Sequence, residues 1–323
     1  MKKKLVILSV LALFAFALTR SLDVQAASKE ALKLCAELII PSLFPFFVLS
    51  LLLNRLGLPA VLSTVLSPMA AKVFHISGAG ASALIIGLTG GYPLGAAYIA
   101  DMLNTGVVDK REGERLLAFC NNSGPAFIMG AVGCGVFSSS RVGVFLYIVH
   151  VFAAVITGVI IRFIEHDGTC DTKGEKQYTL PSVSFGESLT DSVRSAVTAI
   201  LNVCGFVVIF SVLVGVLDSN GIFSLAVGQI ASHTAWELKG TRALLIGLIE
   251  LGSGIGTMRG LNLSRGTLSL AAFLVGWGGI SVHFQTASVL VGSGAKGVLH
   301  FAGRLMSAFI GGIIAYVFYP VIF

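Results

Sequence analysis

Asn121, Asn122 and Ser123 follow one another inside an apolar stretch and are followed at once by Gly124 and Pro125. Two amides and a hydroxyl offer donors and acceptors to a neutral polar ligand. Glycine and proline undo a helical ladder at this point. In lipid, a broken ladder is tolerated only where it is buried in protein or lines a cavity. The competing reading is that these side chains serve as polar glue between helices. A second interruption falls at residues 276–285 and carries Gly278, Gly279, Ser281, His283 and Gln285. His283 is a candidate proton carrier, because imidazole titrates near neutral pH, or else a structural hydrogen-bonder. Glu250, with Ser253 close behind it in a glycine-rich apolar stretch, is the sharpest charge. An intramembrane carboxylate can hold a proton or cation, or accept hydrogen bonds from a ligand. The alternative is that this stretch reaches a water-filled vestibule, where a glutamate costs little.

Composition decides what kind of scaffold holds these groups. The chain has 323 residues, 55% of them hydrophobic and 12% charged. Mean hydropathy is +0.90. Soluble domains average about 25% charged residues, so an all-α polytopic membrane protein is expected. The 38 glycines suit close helix approach in lipid. The net charge of +6 is spread over short loops and has no aromatic-interleaved stripe, so nucleic acid is not an expected partner. Five cysteines show no Cys-x-x-Cys pair, and no metal site is read from them. There is no Walker lysine and no His-Glu-x-x-His, so neither an enzyme nor a bound cofactor is expected. A hydrolase built on Ser123 or Ser281 would need a placed base, and the spacing does not supply one.

The elements needed to hold the two interruptions can be traced along the chain. Residues 1–27 read as a signal-like or first membrane segment: Lys2, Lys3 and Lys4, then a short apolar run, then small residues at Ala26 and Ala27. Residues 28–37 suggest an interfacial amphipathic turn or two, and residues 38–56 a span kinked by Pro41 and Pro45. In residues 78–102, Thr89, Gly90, Gly91, Tyr92 and Pro93 interrupt an apolar run near its middle. Each flank is too short to cross a core of roughly 30 Å, which argues for a re-entrant hairpin, with a single glycine-kinked span as the alternative. A charged loop at 101–115, a broken span at 116–137 and a span at 142–163 complete a first repeat, 28–164. A polar linker, 165–190, follows. The second repeat, 191–323, shows the same order: a span at 197–217, a hairpin at 240–260 centred on Glu250, a broken span at 268–290 and a final span at 299–318. Three crossings per repeat would set the halves in opposite orientation. The expected architecture is thus an inverted-topology repeat with two re-entrant hairpins and two broken helices. The Lys and Arg bias has the sign this topology needs, weakened by Lys239, Arg242, Arg259 and Arg265.

Three stretches carry a resemblance to a known family: residues 40–47 (Ile-Pro-Ser-Leu-Phe-Pro-Phe-Phe), residues 90–96 (Gly-Gly-Tyr-Pro-Leu-Gly-Ala) and residues 114–125, which end in Asn121-Asn122-Ser123-Gly124-Pro125. Through them the chain, from about residue 28 onward, resembles the sporulation integral membrane protein YlbJ family. The resemblance implies a multi-pass inner-membrane protein of an endospore former, needed for the spore cortex. It also implies a nucleoside-recognition or "Gate" domain, similar to parts of concentrative nucleoside transporters. Those transporters carry acidic side chains on both hairpins, whereas the first tip here has only Thr89 and Tyr92.

The expected function is binding or transport of a small polar solute, coupled to H+ or Na+, by a multi-pass protein of the cell membrane. The alternative is a non-transporting structural or signalling protein of the developing spore. The expected substrate-binding residues are Thr89, Gly90, Gly91, Tyr92, Asn121, Asn122, Ser123, Gly124, Glu250, Ser253, Gly278, Gly279, Ser281, His283 and Gln285. The lipid bilayer is the obligatory partner. A homo-oligomer is left open.

Overall fold

The computed structural model describes residues 2–164, 184–233 and 237–323. The expected linker therefore lies mostly outside the described residues, as does Cys170. All regular elements among the described residues are helices.

In chain order the helices fall into two successions of similar lengths. After α1 (Lys2–Thr19), the first half begins with α2 (Ser21–Arg55), a continuous helix of 35 residues. The interfacial turns expected at 28–37 are part of it. One π-wound turn at Cys35–Ile39 precedes Pro41, where the ladder has to absorb a missing N–H. Then come α3 (Leu58–Phe74), α4 (Gly78–Gly90) and α5 (Leu94–Asn104). A broken pair, α6 (Lys110–Cys120) and α7 (Ala126–Val136, π-wound), leads to α8 (Ser140–Ile164), 25 residues long. The second half opens on α9 (Phe185–Ser219), also 35 residues, followed by α10 (Ile222–His233). A second helix pair, α11 (Leu238–Ile249) and α12 (Leu251–Thr257), precedes a second broken pair, α13 (Arg265–Trp277) and α14 (Gly279–Val289). It ends on α15 (Val298–Ile322), again 25 residues. Helices α3 and α10 are additions to the expected order. The stretch around Lys72 and His75, between the expected elements at 38–56 and 78–102, is the end of α3, and the chain turns there by 93° into α4.

Packed helix pairs stand at both places where hairpins were expected. Ser82 Oγ meets Tyr98 Oη at 2.9 Å across α4 and α5, as antiparallel arms require. Gly254 packs on Gly247 across α11 and α12 in the same way. The second broken span is a correction to the expected pattern. Only Gly278 is unwound there, so Ser281, His283 and Gln285 sit within α14 and not on an open segment. Gly278 and Gly279 both take positive φ, 85° and 81°, which lets the chain turn sharply within two residues. The first break is longer, running through residues 121–125.

Five described helices are long and apolar enough to cross a membrane, or six if the bent pair at 63–90 counts as one span. Their outward faces fit that role. Ile148, Phe152 and Ile156 of α8 and Phe309, Ile313 and Val317 of α15 are exposed at helical spacing. Such stripes would be an aggregation hazard in water and are the lipid-facing surface here. The chain is a multi-pass membrane protein. Inside, α13 packs along α15, α7 along α8, α2 along α9, and α15 reaches across the halves onto α6 and α8.

The charged loop caps the broken span. Asp109 accepts the Glu112 N–H at 2.7 Å and so starts α6. Glu112 turns away and accepts the Ser77 N–H at 2.6 Å, joining the start of α6 to the start of α4. Burial pushes the Glu112 carboxyl above its ordinary value of 4.5, and the Ser77 N–H pulls part of the way back. A raised folded-state pKa means that protonated Glu112 favours the fold. That contribution is full below pH 4.5 and is lost as pH climbs through the raised value. Melting midpoints of Glu112→Gln are expected to depend less on pH across this window than those of the wild type.

Candidate functional site

The first break is clasped by the first hairpin. Helix α6 ends at Cys120, and its carbonyl oxygen lies in the cleft between Gly87 on one arm and Gly95 on the other. Gly91, at the tip with φ of 80°, stacks on Gly124 of the break. The second tip meets the second break likewise, with Gly279 against Ile249 and Leu251. Tyr92 joins the two halves: its hydroxyl donates to the Val275 carbonyl of α13 at 3.3 Å.

Unwinding residues 121–125 frees backbone groups in a buried segment. Two of them are met by buried side chains from the last helix of each half. His150 Nε2 on α8 accepts the Ser123 N–H at 3.1 Å. Arg304 on α15 donates through Nη1 to the Asn121 carbonyl at 2.7 Å, to Asn122 Oδ1 at 3.0 Å and to Tyr92 Oη at 3.1 Å. Its Nη2 donates to Ser307 Oγ at 2.7 Å. Arg304 is 0% exposed and has no carboxylate in ion-pair range among the described residues. The 154-residue offset that lays 156–160 on 310–314 also carries Gly124 onto Gly278 and His150 onto Arg304. The two clasping side chains thus hold equivalent registers, yet both serve the first break.

The asparagines are committed to protein. Asn121 Oδ1 accepts the Ala96 N–H of the hairpin, and its Nδ2 donates to Thr286 Oγ1 of α14 at 2.8 Å. Asn122 Nδ2 donates to the Phe119 carbonyl, which leaves its Oδ1 for Arg304. Both are 0% exposed. They act as polar glue between the halves.

A cavity of about 50 Å³ open to water-sized molecules remains between the tips. Of the expected residues, Gly91, Tyr92, Ser123, Gly124, Glu250 and Gln285 line it. Its other walls are apolar, with Ile39 and Leu43 of α2, Val203 and Val207 of α9, and Phe127. Glu250 is 2% exposed and caps α12, accepting the Gly252 N–H at 3.0 Å and the Ser253 N–H at 2.6 Å. The remaining expected residues lie elsewhere. Thr89 is exposed and bonds back to Ile85 O. Gly90 packs on Leu94, and Ser253 meets Ser211 at 3.0 Å. Ser281 takes the Gln285 amide, and Gly278 and Gly279 shape the kink. His283 sits on another face of α14, against Trp277.

Arg304 and His150 were absent from the sequence-based set. The signal for Arg304 was available: it is the sole Asp, Glu, Lys or Arg in residues 298–322. A charge inside a span is a functional candidate by default.

Among known proteins, the chain is 29% identical over 301 residues to the sporulation integral membrane protein YlbJ of Bacillus subtilis (strain 168). The match covers 87% of this chain and 74% of that protein. No family model matches the chain. No solved structure matches it. The resemblance to the YlbJ family is thereby supported across most of the chain, and the Gate-domain likeness belongs with the proposals.

Proposed function

We propose that this relative of YlbJ is a sporulation membrane protein that binds a small polar solute between its two hairpin tips and moves it across the cell membrane. The observation that carries the reading is the central cavity: two helix-pair tips and a five-residue helix break converge on it, and Tyr92, Ser123, Glu250 and Gln285 give it polar atoms. Interrupted helices in corresponding places of two repeats are the usual pointer to a transporter site. In this reading the halves are inverted, one rocks against the other, and a Gate-like architecture performs alternating access. Glu250 is the group that would carry H+ or coordinate Na+. About 50 Å³ of water-accessible space has room for a few waters, so in this reading the conformation is one that holds no larger solute. The role in the spore cortex follows from the family resemblance. The site is read as a carrier site and not as an enzyme.

One observation favours the non-transporting alternative. Asn121 and Asn122 spend their amide groups on protein partners, as locked helix packing requires. Substituting them would test the fold, not the solute. The separating experiment uses cavity-lining groups, Ser123→Ala and Glu250→Gln, in purified protein screened against a panel of polar solutes by thermal shift, and in sporulating cells. Transport predicts a solute whose stabilisation is weakened at least tenfold by Ser123→Ala, about one buried hydrogen bond. Intact sporulation in both variants, with no solute shifting the wild type, would sink the transporter reading.

A further inference from the structure

A second cleft, of about 480 Å³, lies between α14 and α15 and shares no lining residue with the central cavity. His283, Thr286, Leu290 and Phe301 are on its wall. Val282 and Gln285, on another face of α14, look into the central cavity instead. At the base of the cleft His283 and His300 stand with ring centres 5.1 Å apart. The Nε2 atoms of both are buried and have no hydrogen-bond partner. His300 is 2% exposed, and its Nδ1 lies 3.0 Å from the Leu117 carbonyl. A carbonyl only accepts, so Nδ1 carries the proton and Nε2 presents a lone pair. An orphaned polar atom at this depth is costly unless a ligand or water meets it.

The walls give the rest of the ligand. Trp277 packs on His283 at 4.4 Å and on Phe301 at 5.1 Å, and its Nε1 is fixed by the Leu248 carbonyl. At the mouth, Phe284, Val291 and Phe301 are 55%, 81% and 50% exposed, an apolar rim turned outward. A cleft of this volume with apolar walls and a few convergent polar atoms has the anatomy of a small-molecule site.

We propose that the cleft binds a membrane amphiphile with a neutral hydroxyl head, entering from the bilayer. A hydroxyl can donate to His300 Nε2 and also accept from His283 Nε2 when that atom is protonated. An ammonium could only donate, and a carboxylate would meet the lone pair of His300 without a proton to offer it. No group of three or more metal-ligating side chains occurs among the described residues, which sets a metal behind an alcohol. The hydrocarbon body lies along Phe284 and Val291. Thr286 lines this cleft and also accepts from Asn121, so the occupant sits one side chain from the first break.

The test uses full-length protein with Trp236→Phe, leaving Trp277 as the reporter, in phosphatidylcholine nanodiscs. Dioleoylglycerol, which carries a hydroxyl, is expected to change Trp277 fluorescence saturably, and trioleoylglycerol, which lacks one, is not. His300→Asn keeps a donor for the Leu117 carbonyl but removes Nε2, and should weaken the response about tenfold at an unchanged melting midpoint. His300→Gln, with an amide near the Nε2 position, should weaken it less. Equal responses to the two glycerides, no response to either, or an unaltered response in His300→Asn would overturn the proposal. So would a Zn2+-dependent change reversed by EDTA and indifferent to glyceride, which would assign the pair to a metal.

Discussion

Gly87→Ala is expected to unseat the first hairpin from the first break and to abolish recovery of folded, monodisperse protein. A Cβ on Gly87 would stand 1.5 Å from the Cys120 carbonyl oxygen and 2.6 Å from its carbon. Both are backbone atoms at the end of α6, so no side chain can swing aside. Overpacking by a methyl group usually costs about 1–3 kcal/mol, because neighbours shift by a few tenths of an ångström. Here the required shift exceeds 1 Å against a segment held on its far side by Gly95. The penalty should therefore pass the usual range. Gly205→Ala on α9 is the matched control. Nothing lies within 4 Å of its added Cβ, so it should melt at or above the wild type, helped by helix propensity. Equal melting of Gly87→Ala and wild type would show that the hairpin does not clasp the break as described.

The features legible in the sequence were those set by local chemistry. Gly-Gly-Tyr-Pro marked the first tip, and Asn-Asn-Ser-Gly-Pro the first break, because glycine and proline stop a helix whatever surrounds them. The second break was over-read for a related reason. Glycines at 276, 278 and 279 suggested a long unwound segment, yet two residues with positive φ accomplish the whole turn and the ladder resumes at once. Helix α3, with Pro59 in its first turn and Pro68 inside it, was not among the expected elements. A proline in the first turn costs a helix nothing, since its N–H would have had no partner there.

What could not be read were partnerships over long separations. Asn121 and Asn122 looked like solute ligands because they were polar residues in an apolar stretch. Their partners, Ala96, Thr286 and Arg304, lie 25, 165 and 182 residues away. Glu250 looked like a free charge, and its nearest donors proved to be the N–H groups two and three residues on. Glu250 both begins a helix and lines the cavity. The expected residues that line the cavity are consequently fewer than the sequence implied, and they come from both halves.

The largest chemical effect is expected at Arg304. Arg304→Met would remove every donor that meets the Asn121 carbonyl and Asn122 Oδ1, leaving two buried acceptors unpaired. Each orphaned acceptor costs about 1–3 kcal/mol. Against this stands a gain, because a guanidinium with no counter-ion is itself costly to bury. Which term wins depends on whether Arg304 serves as a charge or as a set of donors. Three of its four acceptors converge on one nitrogen, Nη1. Lysine also gathers its donors on one nitrogen, so Arg304→Lys should keep the clasp and lose chiefly Ser307. The expected order of melting midpoints is wild type, then Lys, then Met, with Met lower by about 2–5 kcal/mol in stability. Cys120 provides a local readout, being 0% exposed at the lip of the break. With Cys134, which is exposed, and Cys170 replaced by serine, maleimide should label Cys120 slowly in the wild type and Arg304→Lys and rapidly in Arg304→Met. If Met proves as stable and as unreactive as Lys, the donors are not what holds the break. The uncompensated charge would then be the feature retained, and an anionic partner for it would have to be sought at the junction of Tyr92, Asn121 and Asn122.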